Sequence, residues 1–398
     1  MTEDRGTQDG SGGQATALQA AYPEEFLSGK LTQVDMAGIE RELRQLWQSA
    51  EAVDQDVERP TVSRACALNL ILYSSDEDAE TSAGTLLDEI SVTHPSRALL
   101  AIARPSKEPH LEAWVSARCH LPAPGSTKQI CCEQITVRWE GQGVHELPSV
   151  VLPLLVSDLP VFLWWRTNNF DRDALNPFLP AVDRLIVDAD RWTSPLTLFR
   201  GVVAYLGEKD RPRLSDLSWR RLHAWREAIA SAFDAAGTGL KVPDLDEIIN
   251  VNIVYDRHCL SQVALLTAWL ASRLSWRPVF AEDISRGGIK LTFARRKRRI
   301  EVNWIPQASD RSRTGSVRTV ELCWSDRRLL TVALEERGGK QVLIVQSSAG
   351  APPAREIVAR GPDMNEPRLV GYELDVFGRD HVFEAAARLV GEFAELYE

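Results

Sequence analysis

The chain has 398 residues, 44% hydrophobic and 26% charged, with 56 acidic against 46 basic side chains and a net charge of −10. Such a composition is that of an ordinary globular protein, and at ~100–200 residues per domain the length points to two domains. The acidic balance argues against a general nucleic-acid binder, which carries a basic footprint. No run of ~18 apolar residues offers a membrane span.

Met1 to Gln19 is polar, acidic and rich in Gly and Ser, without the basic start and apolar stretch of a secretory leader. Residues 1–30 are therefore expected to be a disordered tail, and the compartment the reducing cytoplasm. There, free thiols are the default for Cys66, Cys119, Cys131, Cys132, Cys259 and Cys323.

Val34 to Ala50 reads as an amphipathic helix capped by Asp35, with Ile39, Leu43 and Trp47 on one face. An acidic linker, Glu51 to Pro60, leads to a strand over Thr61 to Tyr73, a helix over Ala79 to Ser91 and a strand over Ala98 to Ala103. Leu111 to Cys119 and Gln129 to Glu140 alternate in character around a break at Pro122 to Ser126, the pattern of a hairpin. After a helical stretch from Glu146 to Val156, Val161-Phe-Leu-Trp-Trp165 is apolar without alternation, as in a strand covered on both faces. The polar, Pro-bearing segment from Asn168 to Pro180 places the domain border, with domains expected at 31–175 and 176–398.

Beyond it, Arg184 to Asp188 reads as a strand and Ser194 to Tyr205 as a helix. One long helix is expected from Leu217 to about Ala236, capped by Ser218. Its apolar face is Leu222, Trp225, Ile229 and Phe233, and Arg220, Arg221 and Glu227 face outward. Ile248 to Tyr255 is a strand and Ser261 to Leu274 a buried helix. Short strands follow at Lys290–Phe293, Ile300–Trp304, Val317–Trp324, Leu329–Leu334 and Gln341–Gln346, then a closing helix from Asp380 to Tyr397. The fold class is α/β: an N-terminal α/β domain with a mixed sheet, then a C-terminal α+β domain.

Gly-rich nucleotide loops, a Gly-x-Ser-x-Gly elbow and an HExxH pair do not occur; His145-Glu146 lacks the second His. Cys119, Cys131 and Cys132 flank the hairpin loop. Buried apolar thiols are the plain reading, and a redox pair of Cys119 with Cys131 or Cys132 the functional one. Neighbours on a strand point to opposite faces, so Cys131 and Cys132 do not suit a shared metal, and no metal or other cofactor is expected. His258-Cys259 invites a base–nucleophile reading without an orienting acid. Arg295-Arg-Lys-Arg-Arg299 is either a solvated turn or a docking patch for an acidic or phosphate-bearing partner. Arg166, Asn168, Asn169, Asp188 and Asp190 lie at strand carboxyl ends, where α/β folds bind small ligands such as a sugar phosphate or nucleotide.

Asp158-Leu-Pro-Val-Phe-Leu-Trp-Trp165, Asp183-Arg-Leu-Ile-Val-Asp188, Asp216-Leu-Ser-Trp219 and Trp225-Arg-Glu227 together resemble the central signature of OpcA-type proteins. These are the assembly proteins of glucose-6-phosphate dehydrogenase. Asn69-Leu-Ile-Leu, His94-Pro-Ser-Arg97, Ile130-Cys-Cys-Glu133 and Ala268-Trp-Leu-Ala-Ser-Arg-Leu274 with Trp276 add to the likeness, which spans roughly Thr61 to Trp276. The resemblance implies a cytoplasmic, non-enzymatic protein without catalytic residues. It would bind glucose-6-phosphate dehydrogenase, promote its active oligomer and support NADPH production. The expected contact residues are Trp164 or Trp165, whichever lies outside the core, with Arg166, Trp219, Arg220 and Arg221.

Overall fold

The computed structural model describes residues 32–34, 38–53, 61–76, 79–121, 128–141, 146–235, 238–308, 316–348 and 356–397. The chain packs as two compact units, one reaching Trp164 and taking in Ala181–Asp183, the other formed by Trp165–Pro180 and Arg184–Glu398. The expected tail, the Asp35 cap and the Pro122–Ser126 break lie outside the described residues.

The first unit is a mixed sheet ordered β1-β5-β6-β4-β3-β7: Thr32–Val34 (β1), His110–His120 (β5), Lys128–Gly141 (β6), Ser96–Pro105 (β4), Leu68–Ser74 (β3) and Val161–Arg166 (β7, whose first four residues belong here). The expected strand Thr61–Tyr73 is two strands, because β2 (Thr61–Arg64) pairs with β6 while β3 pairs with β4. β3 and β7 are buried at every position, as their unbroken apolar runs require. Helix α1 (Ile39–Val53) lays Ile39, Leu43 and Trp47 into the core; α2 (Ala79–Thr93) and α3 (Glu146–Val151) pack on β4.

The second unit begins with parallel strands β8 (Arg184–Val187) and β9 (Arg213–Asp216), the latter unforeseen in the sequence. Short α4 (Arg172–Leu175) precedes them, and α5 (Pro195–Gly207) connects them. An eight-stranded sheet follows in the order β11-β12-β13-β10-β14-β15-β16-β17. Its strands are Arg277–Ile284 (β11), Gly288–Arg295 (β12), Arg298–Gln307 (β13), Ile248–Asp256 (β10), Val317–Trp324 (β14), Leu329–Arg337 (β15), Lys340–Ser347 (β16) and Ile357–Arg360 (β17). Only β10 with β13 runs parallel. Alternation decides which face is covered: Ile289, Leu291, Phe293, Val302, Trp304, Val251, Ile253, Val320 and Leu322 are buried. Their neighbours Lys290, Thr292, Asn303, Asn252, Thr319 and Glu321 stay partly accessible.

Against the covered face lie α8 (Leu260–Leu274) and α10 (His381–Glu395). Trp304 donates to Thr267 Oγ1 at 2.9 Å and meets Phe393 edge-on at 5.8 Å, tying sheet to both helices. Asp380 caps α10 through the Phe383 amide, as the closing helix requires.

The long helix expected from Leu217 is two: α6 (Leu217–Arg221) and α7 (His223–Ser231), broken at Leu222 with φ −77° and ψ −4°. The Trp219 carbonyl accepts instead from the Arg226 guanidinium at 3.2 Å, so the break leaves it satisfied. The N-cap is Asp216, which accepts from the Ser218 amide at 2.8 Å, and not Ser218. Leu222, Trp225, Ile229 and Phe233 are buried, as their spacing requires, but Arg221 points inward and is 5% exposed. Helix α9 (Glu366–Leu374) was not expected.

Candidate functional site

The carboxyl ends of β8 and β9 hold three aspartates and one guanidinium. Arg221 forks onto both oxygens of Asp188, at 2.6 and 2.8 Å, and reaches Asp190 at 3.2 Å. Ser218 Oγ donates to Asp188 at 3.2 Å and accepts from the Asp190 amide at 2.9 Å. Gln262 holds Asp190 at 2.7 Å, and Ser261 Oγ donates to the Ala189 carbonyl at 2.6 Å, fastening α8 to the same corner. Asp216 accepts from the amides of Ser218 and Ala189, at 2.8 and 3.2 Å, through Oδ1. Its Oδ2 is buried with no partner among the described residues.

Three carboxylates cannot all be ionised around one cation in a buried space. Burial raises the Asp188 carboxyl, but the charge and hydrogen bonds of Arg221 outweigh it and hold Asp188 below the usual range. Burial, aided by the Asp188 charge, pushes Asp216 up to about 8, so it is a neutral acid at pH 7. Burial lifts Asp190 to about 6 against the pull of Arg221. The corner is thus one ion pair, one neutral acid and one carboxyl that titrates near physiological pH.

Arg166 pairs with Glu366 at the start of α9, 3.0 Å from Nε to Oε1. Arg184 donates to Ser215 at 2.6 Å and to the carbonyls of Val376 and Gly378 at 2.6 and 2.7 Å. Of the strand-end residues considered for ligand binding, Arg166 and Asp188 are engaged with Glu366 and Arg221 and buried, at 8% and 2% exposed. Asn168 and Asn169 are exposed, and their part is backbone acceptance from Thr193 and Thr167.

Of the expected contact residues, Trp164, Trp165, Arg166, Trp219 and Arg221 are all buried, which corrects their expected place on an exposed contact face; both strand tryptophans are core, as the unbroken apolar run of β7 implies. Trp165 packs edge-on against Phe178, and Trp219 donates to Asp380 at 2.8 Å beside Phe383. Of that set, Arg220 retains accessibility, with Nε on Glu373 at 2.7 Å and Cζ 5.7 Å from the centre of the Tyr372 ring. It opens on a cleft of about 300 Å³ lined by α6 and α7 on one side and by Arg360, Gly361, Leu369 and Tyr372 on the other.

Sequence reasoning missed that opposite wall. Asn365-Glu366-Pro367 was the available signal, since Asn365 caps α9 through the Arg368 amide at 2.8 Å with Pro in the first turn. His258 is exposed whereas Cys259 is buried, donating to the Asp256 carbonyl at 3.0 Å, so the two do not form a base–nucleophile pair. Burial raises the Cys259 thiol well above its usual range, the opposite of nucleophile activation. In the basic run, Arg295 pairs with Asp246 at 2.7 Å, and Arg296 to Arg299 are exposed around the β12–β13 turn.

In the first unit, Cys119 and Cys131 face each other across β5 and β6 and are joined as a disulfide, which corrects the expectation of free thiols there. Cys132 points to the other face and is a buried free thiol. Two signature fragments meet nearby: Arg97 forks onto Glu133 at 2.7 and 2.8 Å, and Arg64 reaches the same carboxylate at 2.6 Å. Trp47 Nε1 also donates to it. Asn69 stitches the turn before β7, exchanging hydrogen bonds with the amide and carbonyl of Val156 at 2.8 and 3.0 Å. Asp183 accepts from the Val161 amide at 2.8 Å. The signature's polar residues hold backbone and one another in place. Among the described residues no group of three His, Cys, Asp or Glu is placed to hold a metal ion. No described helix is long and apolar enough to cross a membrane.

These features define a two-unit mixed α/β protein with a paired polar interior and, beside α6 and α9, a cleft walled in part by arginines. The chain belongs to the OpcA-type glucose-6-phosphate dehydrogenase subunit family: residues 87–203 match its N-terminal domain and residues 212–387 its C-terminal domain. Proteins named OxPP cycle protein OpcA are similar to it. That of Nostoc punctiforme is 27% identical over 78% of this chain and 68% of its own length. That of Synechocystis is 24% identical over 77% and 65%. The chain thus spans about two thirds of these curated relatives. Among solved structures, an oxidoreductase from Sinorhizobium meliloti matches at a TM-score of 0.43 and 10% identity, covering 83% of this chain and 88% of that one. A dehydrogenase, MviM, from Clostridium difficile matches at 0.42 and 8%, covering 82% and 97%.

Proposed function

We propose that the chain is a non-catalytic, cytoplasmic partner of glucose-6-phosphate dehydrogenase that binds the enzyme and favours its active oligomer, supporting NADPH production in the oxidative pentose phosphate route. The observation that carries this reading is the pair of matches, in order and over most of the chain, to the two domains of a glucose-6-phosphate dehydrogenase subunit. An activator works only by binding one state of its target better than another. A tenfold shift needs about 1.4 kcal/mol of differential affinity, which one or two well-packed side chains supply. The accessible Arg220, at the cleft mouth, is the contact this reading keeps; Trp219 and Arg221, buried on the same helix, hold α6 in place through Asp380 and Asp188.

The test mixes purified dehydrogenase with this chain and follows NADPH formation and particle mass by light scattering. A rise in activity together with a larger particle is expected, weakened by Arg220→Ala. Unchanged mass and rate at micromolar concentrations of both proteins would sink the proposal.

A further inference from the structure

The cleft beside α6 and α9 is lined by three arginines, of which Arg360 has no ion pair among the described residues and Arg220 bonds through one nitrogen alone. Arg360, at the end of β17, is exposed, and its side chain has no ion pair or hydrogen bond among the described residues. Arg220, which lines the cleft, spends its Nε on Glu373, and its two terminal nitrogens have no hydrogen bond among the described residues. His223 stands at the same mouth, its side chain 64% exposed.

The lining acids do not cancel these groups. Asp363 is held by Arg368 at 3.3 Å and accepts from the Asn365 amide at 3.1 Å. Glu227 is 74% exposed, one helical turn from His223 and 4.0 Å away. Arg221, at the back wall, is neutralised by Asp188. Ala224, Leu369 and the Tyr372 ring supply an apolar surface between the cations.

We infer that this cleft binds a small phosphate monoester, its phosphate between Arg220 and Arg360 and its body against Tyr372. Two guanidiniums present planar sets of N–H donors, which match phosphate oxygens in paired hydrogen bonds. A phosphate monoester brings about −1.5 to −2 charge at pH 7 and three acceptor oxygens, more than a carboxylate can offer two cations. The volume of about 300 Å³ sits at the small end of the range for ligand pockets, about 300–1,000 Å³, which suits a metabolite of this size rather than a dinucleotide. The site shares Arg220 with the dehydrogenase reading but does not rest on it, because it needs no partner to form.

The experiment uses the full chain alone, titrated with inorganic phosphate, glycerol 3-phosphate or acetate by calorimetry at constant ionic strength in chloride. Saturable binding is expected in the order glycerol 3-phosphate, phosphate, acetate. Arg360→Gln should raise the dissociation constants for both phosphates at least fivefold while leaving the melting temperature in chloride unchanged, since the strand pairing of Arg360 with Val342 is through the backbone and its side chain is exposed. Arg360→Lys should restore part of the loss. Phosphate binding no better than acetate would overturn the assignment, as would binding that Arg360→Gln leaves intact. No dehydrogenase is present, so a failure here is distinct from a failure to activate.

Discussion

Arg221→Ala is the sharpest test of how the second unit is held together. The substitution removes the fork onto Asp188, at 2.6 and 2.8 Å, and the 3.2 Å contact to Asp190. Asp188 is 2% exposed and would keep only a hydroxyl and an amide as donors, from Ser218 and Asp190. A buried carboxylate stripped of its cation costs about 3–5 kcal/mol. At about 2–4 °C per kcal/mol for a unit of this size, melting should fall by about 6–20 °C. Scanning calorimetry at several pH values reads the sign as well. With Arg221 present, the depressed Asp188 group stabilises above its unfolded value and loses that contribution as pH falls. Without it, burial raises the same group, so the variant's deficit should shrink toward pH 5. Asp188→Asn added to Arg221→Ala should recover much of the loss. A drop below about 1 kcal/mol, the worth of an exposed pair, would refute the reasoning.

Asp216→Asn should change melting least near pH 4, about the unfolded value, and raise it progressively toward pH 9. The wild-type carboxyl, pushed up to about 8 by burial and Asp188, favours folding fully below its unfolded value and loses that contribution as pH rises through 8; parallel melting curves for the two proteins across this range would contradict the assignment. Reducing the Cys119–Cys131 bond, which closes a separation of 12 residues, should lower the stability of the first unit by about 3 kcal/mol. Melting with and without reductant measures it, and Cys131→Ala should match the reduced protein.

Much of the architecture was legible because burial on a single face leaves a period in the sequence. β14 falls on Val317–Trp324 as expected, and the closing helix begins at the Asp380 cap. The misread parts lie where polar side chains override that period. Periodicity over Leu217–Phe233 suits one straight helix, and it placed Arg221 outside; only the meeting of β8, β9 and α6 in space explains a guanidinium directed inward. The cysteine pairing stayed open between Cys131 and Cys132 because a slip of one residue in β5–β6 register exchanges their faces. Asp216 and Glu366 gave no sign of their roles, since their partners Ala189 and Arg166 are distant in sequence.

The eight-stranded sheet also sets an order of events. Its inner strand β10 pairs with neither of its nearest strands in sequence, β9 and β11, but with β13 and β14. It cannot be enclosed until residues beyond 317 have joined the chain. Arg211 waits longer still, for Glu384, a separation of 173 residues. Contacts so distant are slow to form, because their loop-closure cost comes before any reward. On the ribosome the second unit therefore stays incomplete until α10 emerges, and a chain stopped short of His381 would leave the apolar sides of α5 and α8 bare.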